Sequence, residues 1–165
     1  MRLLVFRHGI AEEHAADGTD GSRVLTAEGV ARTRAAARGL HRIADPVDVI
    51  LTSPKTRAVQ TADEAGAAFG CAVEVLDCLS GGPPEETLRA LAGRGEQAVM
   101  IVGHEPMLSE LVEQLCTGSR RLGFVDMRKA GCACLDVVLQ PGGDVTAATL
   151  LWLATPRMLR ALAPD

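Results

Sequence analysis

The chain has 165 residues, 47% of them hydrophobic and 23% charged, which predicts a single domain over residues 1–165 that folds without metal or disulfide support. Its net charge of -4 and its 2% aromatic content disfavour nucleic-acid binding, which relies on a cationic surface and on aromatic stacking platforms. No apolar run reaches the roughly 18 residues that span a bilayer, so we expect no membrane contact. Arg7 interrupts the first apolar run too early for a signal peptide, and the five cysteines lack paired spacing. We therefore expect a cytoplasmic protein with reduced thiols.

Strands and helices alternate along most of the chain. Apolar runs of strand length occur at Leu3–Phe6, Val47–Leu51, Val73–Leu76, Ala98–Val102, Cys134–Leu139 and Thr146–Leu153. Segments of helical composition lie between them, at Ala27–Arg42, Arg57–Phe69, Glu85–Ala92 and Met107–Cys116. Thr26 is placed to cap the first helix, and Ser53-Pro54 predicts a capped start for the second, with proline at its first position.

The character of the runs predicts how the sheet is built. The first, second and fourth runs are almost unbroken apolar segments, which is typical of strands covered by helices on both faces. The last two runs flank the turn-forming segment Gln140–Asp144 and predict a hairpin. We therefore expect an α/β protein, a three-layer α/β/α sandwich whose central sheet is mostly parallel and has an antiparallel edge.

Polar residues follow three of the predicted parallel strands. The first strand ends in Arg7-His8-Gly9, the second in Thr52-Ser53-Pro54 with Arg57 one turn later, and the fourth in Gly103-His104. Taken singly, each histidine fits a hydrogen-bonded structural role and Arg57 fits a solvated helix position. Because the carboxyl ends of parallel strands share one edge of the sheet, we expect two arginines and two histidines to converge there.

This set of residues suits a phosphoryl group. Guanidinium groups of Arg7 and Arg57 offer paired donors to anionic oxygens, and Gly9, which has no Cβ, lets the backbone approach a ligand. A neutral imidazole is a nucleophile, so we assign that role to His8 and the role of a donor to phosphoryl oxygens to His104. Arginines beside the histidines would repel a divalent cation, and metal-ligand spacing is missing, so we expect no metal.

The three elements resemble the signatures of the histidine phosphatase superfamily, which also contains the cofactor-dependent phosphoglycerate mutases. The matching segments are Arg7-His8-Gly9, the Ser-Pro-x-x-Arg-Ala-x-x-Thr-Ala element Ser53–Ala62, and the later histidine His104. Short length and the segment Arg23-Val24-Leu25-Thr26, in which valine replaces the usual proline, resemble the SixA-type phosphohistidine phosphatases. The resemblance implies a phosphoglycerate mutase-like fold, a covalent phospho-His8 intermediate, a phosphate pocket of Arg7, Arg57 and His104, and no metal or cofactor.

Larger members of this family carry a glutamate acid in an inserted helical region after the third strand. This chain has only the short segment Asp77–Glu86 there, which is too short for a lid over the substrate. An alkoxide leaving group needs strong protonation, whereas the conjugate acid of imidazole titrates near pKa ~6.5, so a site without a dedicated acid favours P–N over P–O bonds. The carboxyls that could still act as a weak acid are Glu12, Asp20, Asp77, Glu85, Glu86 and Glu105. Glu105 has the most direct placement, beside His104, but its position is explained equally well by a carboxylate that stabilises a helix N-terminus.

An open rim would admit a phosphorylated side chain from another protein, so we expect a phosphatase that acts on protein phosphohistidine. Since no unusually apolar surface helix is evident in the sequence, we expect a monomer. A general small-molecule phosphomonoesterase and a non-catalytic phosphoprotein-binding module are the alternatives. Two basic pairs, Arg120-Arg121 and Arg128-Lys129, bracket a loop that either meets an acidic protein partner or is simply solvated. Arg23 is a further residue that could lean toward the phosphate.

Overall fold

The computed structural model describes residues 1–163, which form a mixed sheet with helices on both of its faces. Its strands are β1 (Arg2–Arg7), β2 (Val49–Thr52), β3 (Ala72–Val75), β4 (Ala98–Gly103), β5 (Cys132–Leu139) and β6 (Val145–Ala154). Its α-helices are α1 (Ala27–His41), α2 (Thr56–Phe69), α3 (Pro84–Ala92), α4 (Met107–Thr117) and α5 (Pro156–Ala161). A 3₁₀ turn, Asp77–Ser80, follows β3.

The sheet has the order β3-β2-β4-β1-β5-β6. Strands β1 to β4 run parallel to one another, whereas β5 pairs antiparallel with β1, and β6 pairs antiparallel with β5. The predicted α/β fold, with a mostly parallel sheet and an antiparallel edge, is therefore confirmed.

The central strand β1 shows why an unbroken apolar run forms a doubly covered strand. Its residues Leu3, Leu4, Val5 and Phe6 are all fully buried. Because side chains alternate across a strand, Leu3 and Val5 enter the core cluster that contains residues of α3 and α4, while Leu4 and Phe6 enter the cluster that contains residues of α1, α2 and α5. A strand packed on both sides is a rigid base for the residues that follow it.

Two of the helix starts can be compared with the predictions. The Thr26 hydroxyl accepts a 2.8 Å hydrogen bond from the Gly29 N–H and caps α1, as predicted. The predicted start of α2 at Ser53-Pro54 is wrong, because the chain remains extended through Lys55 and the helix begins at Thr56. The Ser53 side chain bonds a histidine instead of capping a helix.

Helix α5 was not predicted from the sequence. Thr155 caps it by accepting a hydrogen bond from the Met158 N–H, and Pro156 occupies the first turn. Within residues 1–163, all five cysteines are free thiols. None of the helices in this part of the chain combines the length and the apolar character needed to cross a bilayer.

The parallel register brings three strand ends to one edge of the sheet. Arg7 on β1 lies opposite Gly103 on β4, and Thr52 on β2 lies opposite Val102 on β4. The next residue on each of these strands, His8, Ser53 or His104, is therefore delivered to the same place.

Candidate active site

His8 leaves β1 at the centre of this edge and is only 6% exposed. Its Nδ1 lies 2.7 Å from the carbonyl oxygen of Gly9. Because a carbonyl can only accept, Nδ1 carries the proton of the neutral ring and Nε2 keeps its lone pair. The Gly9 N–H in turn donates to Thr61 Oγ1 on α2 at 3.0 Å. This bond fixes the Gly9 backbone, whose carbonyl oxygen orients the imidazole of His8.

The surroundings of His8 keep its ring neutral. Burial, together with the positive charges of Arg57 and Arg7, lowers the pKa of His8 from its usual value near 6.5 to about 4, against the opposing effect of the hydrogen bond to Gly9. The imidazole is thus available as a nucleophile at neutral pH.

His104 follows β4 and faces His8, with their ring centroids 5.0 Å apart. Its Nε2 lies 2.8 Å from the Ser53 hydroxyl oxygen, which also accepts the Lys55 N–H at 3.3 Å. The hydroxyl proton is therefore free to be donated to Nε2, which places the imidazole proton on Nδ1. Burial and the neighbouring His8 lower the pKa of His104 to about 3.

Each of the two arginines is held by hydrogen bonds from terminal nitrogens of its guanidinium group. Arg7 Nη1 donates to the Met127 carbonyl oxygen at 2.6 Å. Arg57, which is 5% exposed, donates from Nη1 to the Asp20 carbonyl oxygen at 2.7 Å and from Nη2 to the Asp20 carboxylate at 3.0 Å. In both arginines the Nε–H is buried and has no hydrogen-bond partner among the described residues.

Asp20 organises the cations on one side of the site. One carboxylate oxygen accepts hydrogen bonds from Lys55 Nζ and Arg57 Nη2, both at 3.0 Å, and the other accepts from Arg23 Nη1 at 2.9 Å. The bonds from Lys55 and Arg57 hold the pKa of Asp20 well below its usual range, so Asp20 remains ionised and cannot be the weak acid considered above. Arg23 donates from Nε to the Glu12 carbonyl oxygen and from Nη1 to the Asp20 carboxylate, so these two nitrogens are engaged within the loop.

Three unpaired donors remain at this edge of the sheet. Arg7 Nε, Arg57 Nε and His104 Nδ1 are buried and have no partner within residues 1–163. Buried polar atoms are almost always hydrogen-bonded, so a group of unpaired N–H donors around one imidazole indicates a site for an anion. Guanidinium and imidazole N–H groups suit the oxygens of a phosphoryl group.

A cavity of about 580 Å³ opens beside Arg57 and His104, while Arg7 and His8 lie behind its lining residues. It is lined by Arg57 and His104, by Lys55 and Asp20, and by the 80–83 loop and the Arg120-Arg121 pair. This volume is larger than a phosphate ion needs and is within the range that binds a larger ligand. Across residues 1–163, His, Cys, Asp and Glu side chains form no cluster of three or more suited to a metal ion.

The structure brings together the four side chains that the sequence singled out, His8, His104, Arg7 and Arg57. Gly9 belongs to the same loop, but the space that a Cβ would occupy there is filled by Thr33 Oγ1, at 2.1 Å, and Leu25. Packing against α1 therefore accounts for glycine at this position, and the approach of a ligand to its backbone stays a prediction.

Of the possible weak acids and the two basic pairs, some line the cavity and others lie on the surface. Glu105 is half-buried in the cavity wall, where burial raises the pKa of its carboxyl, and its Oε1 has no partner among the described residues. Glu85 pairs with Arg120 at 3.0 Å. Of the basic pairs, Arg120-Arg121 lines the cavity, whereas Arg128 forms an exposed pair with Asp126.

The sequence did not predict how three residues hold the site together. Thr61 belongs to the Ser53–Ala62 motif, and its position one turn after Arg57 places both residues on one face of α2. Its hydroxyl donates to the Arg57 carbonyl oxygen at 2.7 Å. Ser53 was interpreted as a helix cap, and Asp20 lies in a polar loop whose sequence contains no signal for its contact with Arg57.

Comparison with known proteins gives consistent results. Residues 3–80 match the model of the histidine phosphatase superfamily, branch 1. The phosphohistidine phosphatase SixA of Escherichia coli K12 is 33% identical over 166 residues, which cover 97% of each chain. The SixA homologue of Haemophilus influenzae is 29% identical over 70% of this chain and 77% of its own. The structure of SixA complexed with tungstate matches with a TM-score of 0.79 and 30% identity, covering 96% of this chain and 99% of that one.

Proposed function

Because the chain belongs to the histidine phosphatase superfamily, we propose that it is a phosphatase that hydrolyses phosphohistidine on a protein through a covalent phospho-His8 intermediate. The observation that carries this proposal is the group of three buried, unpaired donors, Arg7 Nε, Arg57 Nε and His104 Nδ1, around a neutral imidazole. The likeness to SixA supports phosphohistidine as the substrate class.

In the first step, the lone pair of His8 Nε2 attacks the phosphorus, and the bond between phosphorus and the substrate imidazole nitrogen breaks. The leaving imidazole keeps the electron pair of that bond and takes a proton from solvent. Charge spreads over the three equatorial oxygens in the transition state, and Arg7, Arg57 and His104 donate to them.

In the second step, water attacks the phosphorus of phospho-His8, the Nε2–P bond breaks, and phosphate leaves with the protons of the water, one of which passes to solvent and replaces the proton taken up in the first step. The Gly9 carbonyl holds the Nδ1 proton throughout, so His8 returns to the same neutral tautomer. The net reaction converts phosphohistidine and water into histidine and phosphate.

The scarcity of proton donors in the described cavity wall favours a P–N substrate. Asp20 is ionised by its cationic partners and Glu110 is paired with Arg121, so Glu105, whose pKa is raised by burial, is the carboxyl of this wall that could act as a weak acid. An imidazole leaving group needs little help, since its conjugate acid titrates near ~6.5, whereas an alkoxide does need a proton donor.

The decisive experiment assays a phosphohistidine protein, phosphoramidate and p-nitrophenyl phosphate side by side with the parent and with His8→Ala. We expect the parent to prefer the P–N substrates and His8→Ala to lose about four orders of magnitude in kcat while remaining folded, because no nucleophile replaces the imidazole. Circular dichroism of the variant provides the control for folding.

Two results would contradict the proposal. A preference for p-nitrophenyl phosphate would favour the small-molecule phosphomonoesterase. Binding of the phosphoprotein without turnover by the parent would favour the non-catalytic module.

A further inference from the structure

The loop of residues 118–131, which joins α4 to β5 and contributes Arg120 and Arg121 to the cavity wall, exposes two large apolar side chains. Leu122 is 52% exposed and Phe124 is 58% exposed. The chain has only three phenylalanines, and Phe6 is fully buried in the core. A single exposed apolar residue is ordinary, but an exposed pair next to a functional cavity indicates a contact surface.

Glu113 on α4 fixes the shape of this loop. Glu113 is 2% exposed, and its carboxylate accepts hydrogen bonds from the backbone N–H groups of Leu122 at 2.6 Å, Phe124 at 2.9 Å and Val125 at 3.2 Å. A carboxylate with several backbone donors is a strong anchor. The two apolar side chains are thus presented on an ordered backbone, which lowers the entropic cost of binding a partner.

The same loop is bonded directly to the residues of the candidate active site. The Met127 carbonyl accepts from Arg7 Nη1 at 2.6 Å. The Ala130 N–H lies 3.0 Å from the Arg7 carbonyl oxygen and 3.2 Å from that of His8. The surface is therefore continuous with the site.

The start of the loop adds charge next to this apolar pair. Arg121 lines the cavity together with Arg57 and His104, and its side chain is 75% exposed while it pairs with Glu110 at 2.9 Å. Its exposure leaves several of its five donors available to an acidic group on a partner. Phenylalanine and arginine are both enriched at protein interfaces.

We propose that Leu122, Phe124 and Arg121 form the docking surface for the phosphorylated protein substrate. This inference rests on the proposed function and adds the site by which the enzyme recognises the protein part of its substrate. The partner is a protein that carries an apolar patch and an acidic side chain next to its phosphohistidine. Free phosphohistidine carries no such protein surface, so the docking surface selects phosphoproteins over small phosphoramidates.

The test compares the double variant Leu122→Ser/Phe124→Ser with the parent on two substrates that share one leaving group. These are free phosphohistidine and a protein whose surface histidine has been phosphorylated with phosphoramidate. We expect kcat/KM for the phosphoprotein to fall at least about tenfold, mostly through KM, because the apolar contacts are lost. We expect kcat/KM for free phosphohistidine to stay within about twofold.

The matched control is Val138→Ser/Met158→Ser, which removes two apolar side chains that are 54% and 55% exposed on β5 and α5. It should leave both substrates unaffected. The variant Phe124→Leu should retain most of the phosphoprotein activity, since it keeps an apolar side chain at that position.

Two results for the Leu122→Ser/Phe124→Ser variant would overturn the docking surface. An equal loss on both substrates would show that the loop only supports the catalytic residues. Unchanged activity on both would show that the phosphoprotein does not contact it. A failure of the proposed function has a different signature, because the parent itself would then hydrolyse p-nitrophenyl phosphate but neither form of phosphohistidine, and docking would fall with it.

Discussion

Two regions of the one sheet differ in whether their buried polar side-chain atoms have hydrogen-bond partners. The first region is the carboxyl ends of β1, β2 and β4, and the second is the β5–β6 hairpin. At the strand ends, Arg7 Nε, Arg57 Nε and His104 Nδ1 are buried without partners, whereas within the described residues of the hairpin, 132–154, no buried side-chain polar atom lacks one. Each unsatisfied buried group costs about 1–3 kcal/mol of stability. A cluster of such groups in one region and their absence from the other indicates that the first region is built for a ligand.

The two regions also use guanidinium–carboxylate pairs differently. Arg2 Nε donates to Asp136 of β5 at 2.7 Å, with its side chain 29% exposed, and this pair joins the hairpin to β1. Arg57 pairs with Asp20 at 3.0 Å while its side chain is only 6% exposed. A partly exposed pair contributes little to stability, whereas the buried Arg57 is held in a fixed orientation toward the cavity.

The largest expected difference between the two regions is in kcat, when Arg57 at the strand ends and Arg2 at the hairpin contact are each replaced by lysine. Arg57→Lys keeps the charge but loses the Nε–H and the planar fork, so we expect kcat to fall about 10²–10³-fold. Arg2→Lys, the matched control from the hairpin contact, should stay within about twofold. Steady-state kinetics on phosphoramidate measures both, and equal effects would mean that orientation at the strand ends has no special role.

The pH dependence of stability should also originate at the strand ends. The pKa of His8 is about 4 in the folded protein and near 6.5 when unfolded. Between these values the unfolded chain binds a proton that the folded chain does not, so the free energy of unfolding decreases as pH falls from 6.5 to 4. His8 should account for about 2–3 kcal/mol of this decrease, since one pKa unit corresponds to roughly 1.4 kcal/mol.

Urea unfolding of the parent and His8→Ala at pH 4.5 and 7.5 isolates this contribution. Relative to the parent, the alanine variant should be more stable at pH 4.5 than at pH 7.5 by about that amount. A stability difference that is the same at both pH values would contradict a buried neutral His8.

A smaller effect is expected from Ser53→Ala, which removes the hydroxyl that holds His104 Nε2. His104 could then move its proton to Nε2 and lose the Nδ1–H donor, so we expect about a tenfold lower kcat. Imidazole ¹⁵N NMR reports the tautomer directly, and Ser119→Ala on the exposed 118–131 loop is the control. A lower kcat with an unchanged tautomer would show that Ser53 acts in another way.

The smallest effect is expected from Glu105→Gln. Burial raises the pKa of the Glu105 carboxyl, which makes it a better proton donor than an exposed glutamate, whereas the amide of glutamine cannot act as an acid. We expect a several-fold loss on an alkyl phosphate and no loss on phosphohistidine. Identical pH–rate profiles of the variant and the parent on the alkyl phosphate would exclude Glu105 as a proton donor.

Most of the fold could be predicted because it depends on local patterns. Buried strands such as β1 and β4 are recognisable as short apolar runs, and the residues that follow them are set by chain order alone. Helix α5 had the same signal as α1, a capping threonine at Thr155, but its six residues are too few for a clear periodic pattern.

The details of the candidate site could not be predicted because they depend on contacts between distant segments. Asp20 meets Arg57 across 37 positions, and the conformation of a polar loop decides that contact. Ser53 precedes a proline, which is the usual signal for a helix start, yet its hydroxyl bonds His104, 51 positions away. Local propensity therefore predicted a cap where a tertiary hydrogen bond was the stronger interaction.

The close fit of Gly9 has a consequence for how this protein can change. A side chain added there would collide with Thr33 on α1, while the Gly9 N–H is bonded to Thr61 on α2. Position 9 thus lies between two helices, and even alanine there would require the Thr33 side chain to shift. In a library of random variants, this position should be among the least tolerant of replacement, although its own atoms take no part in bond making or breaking.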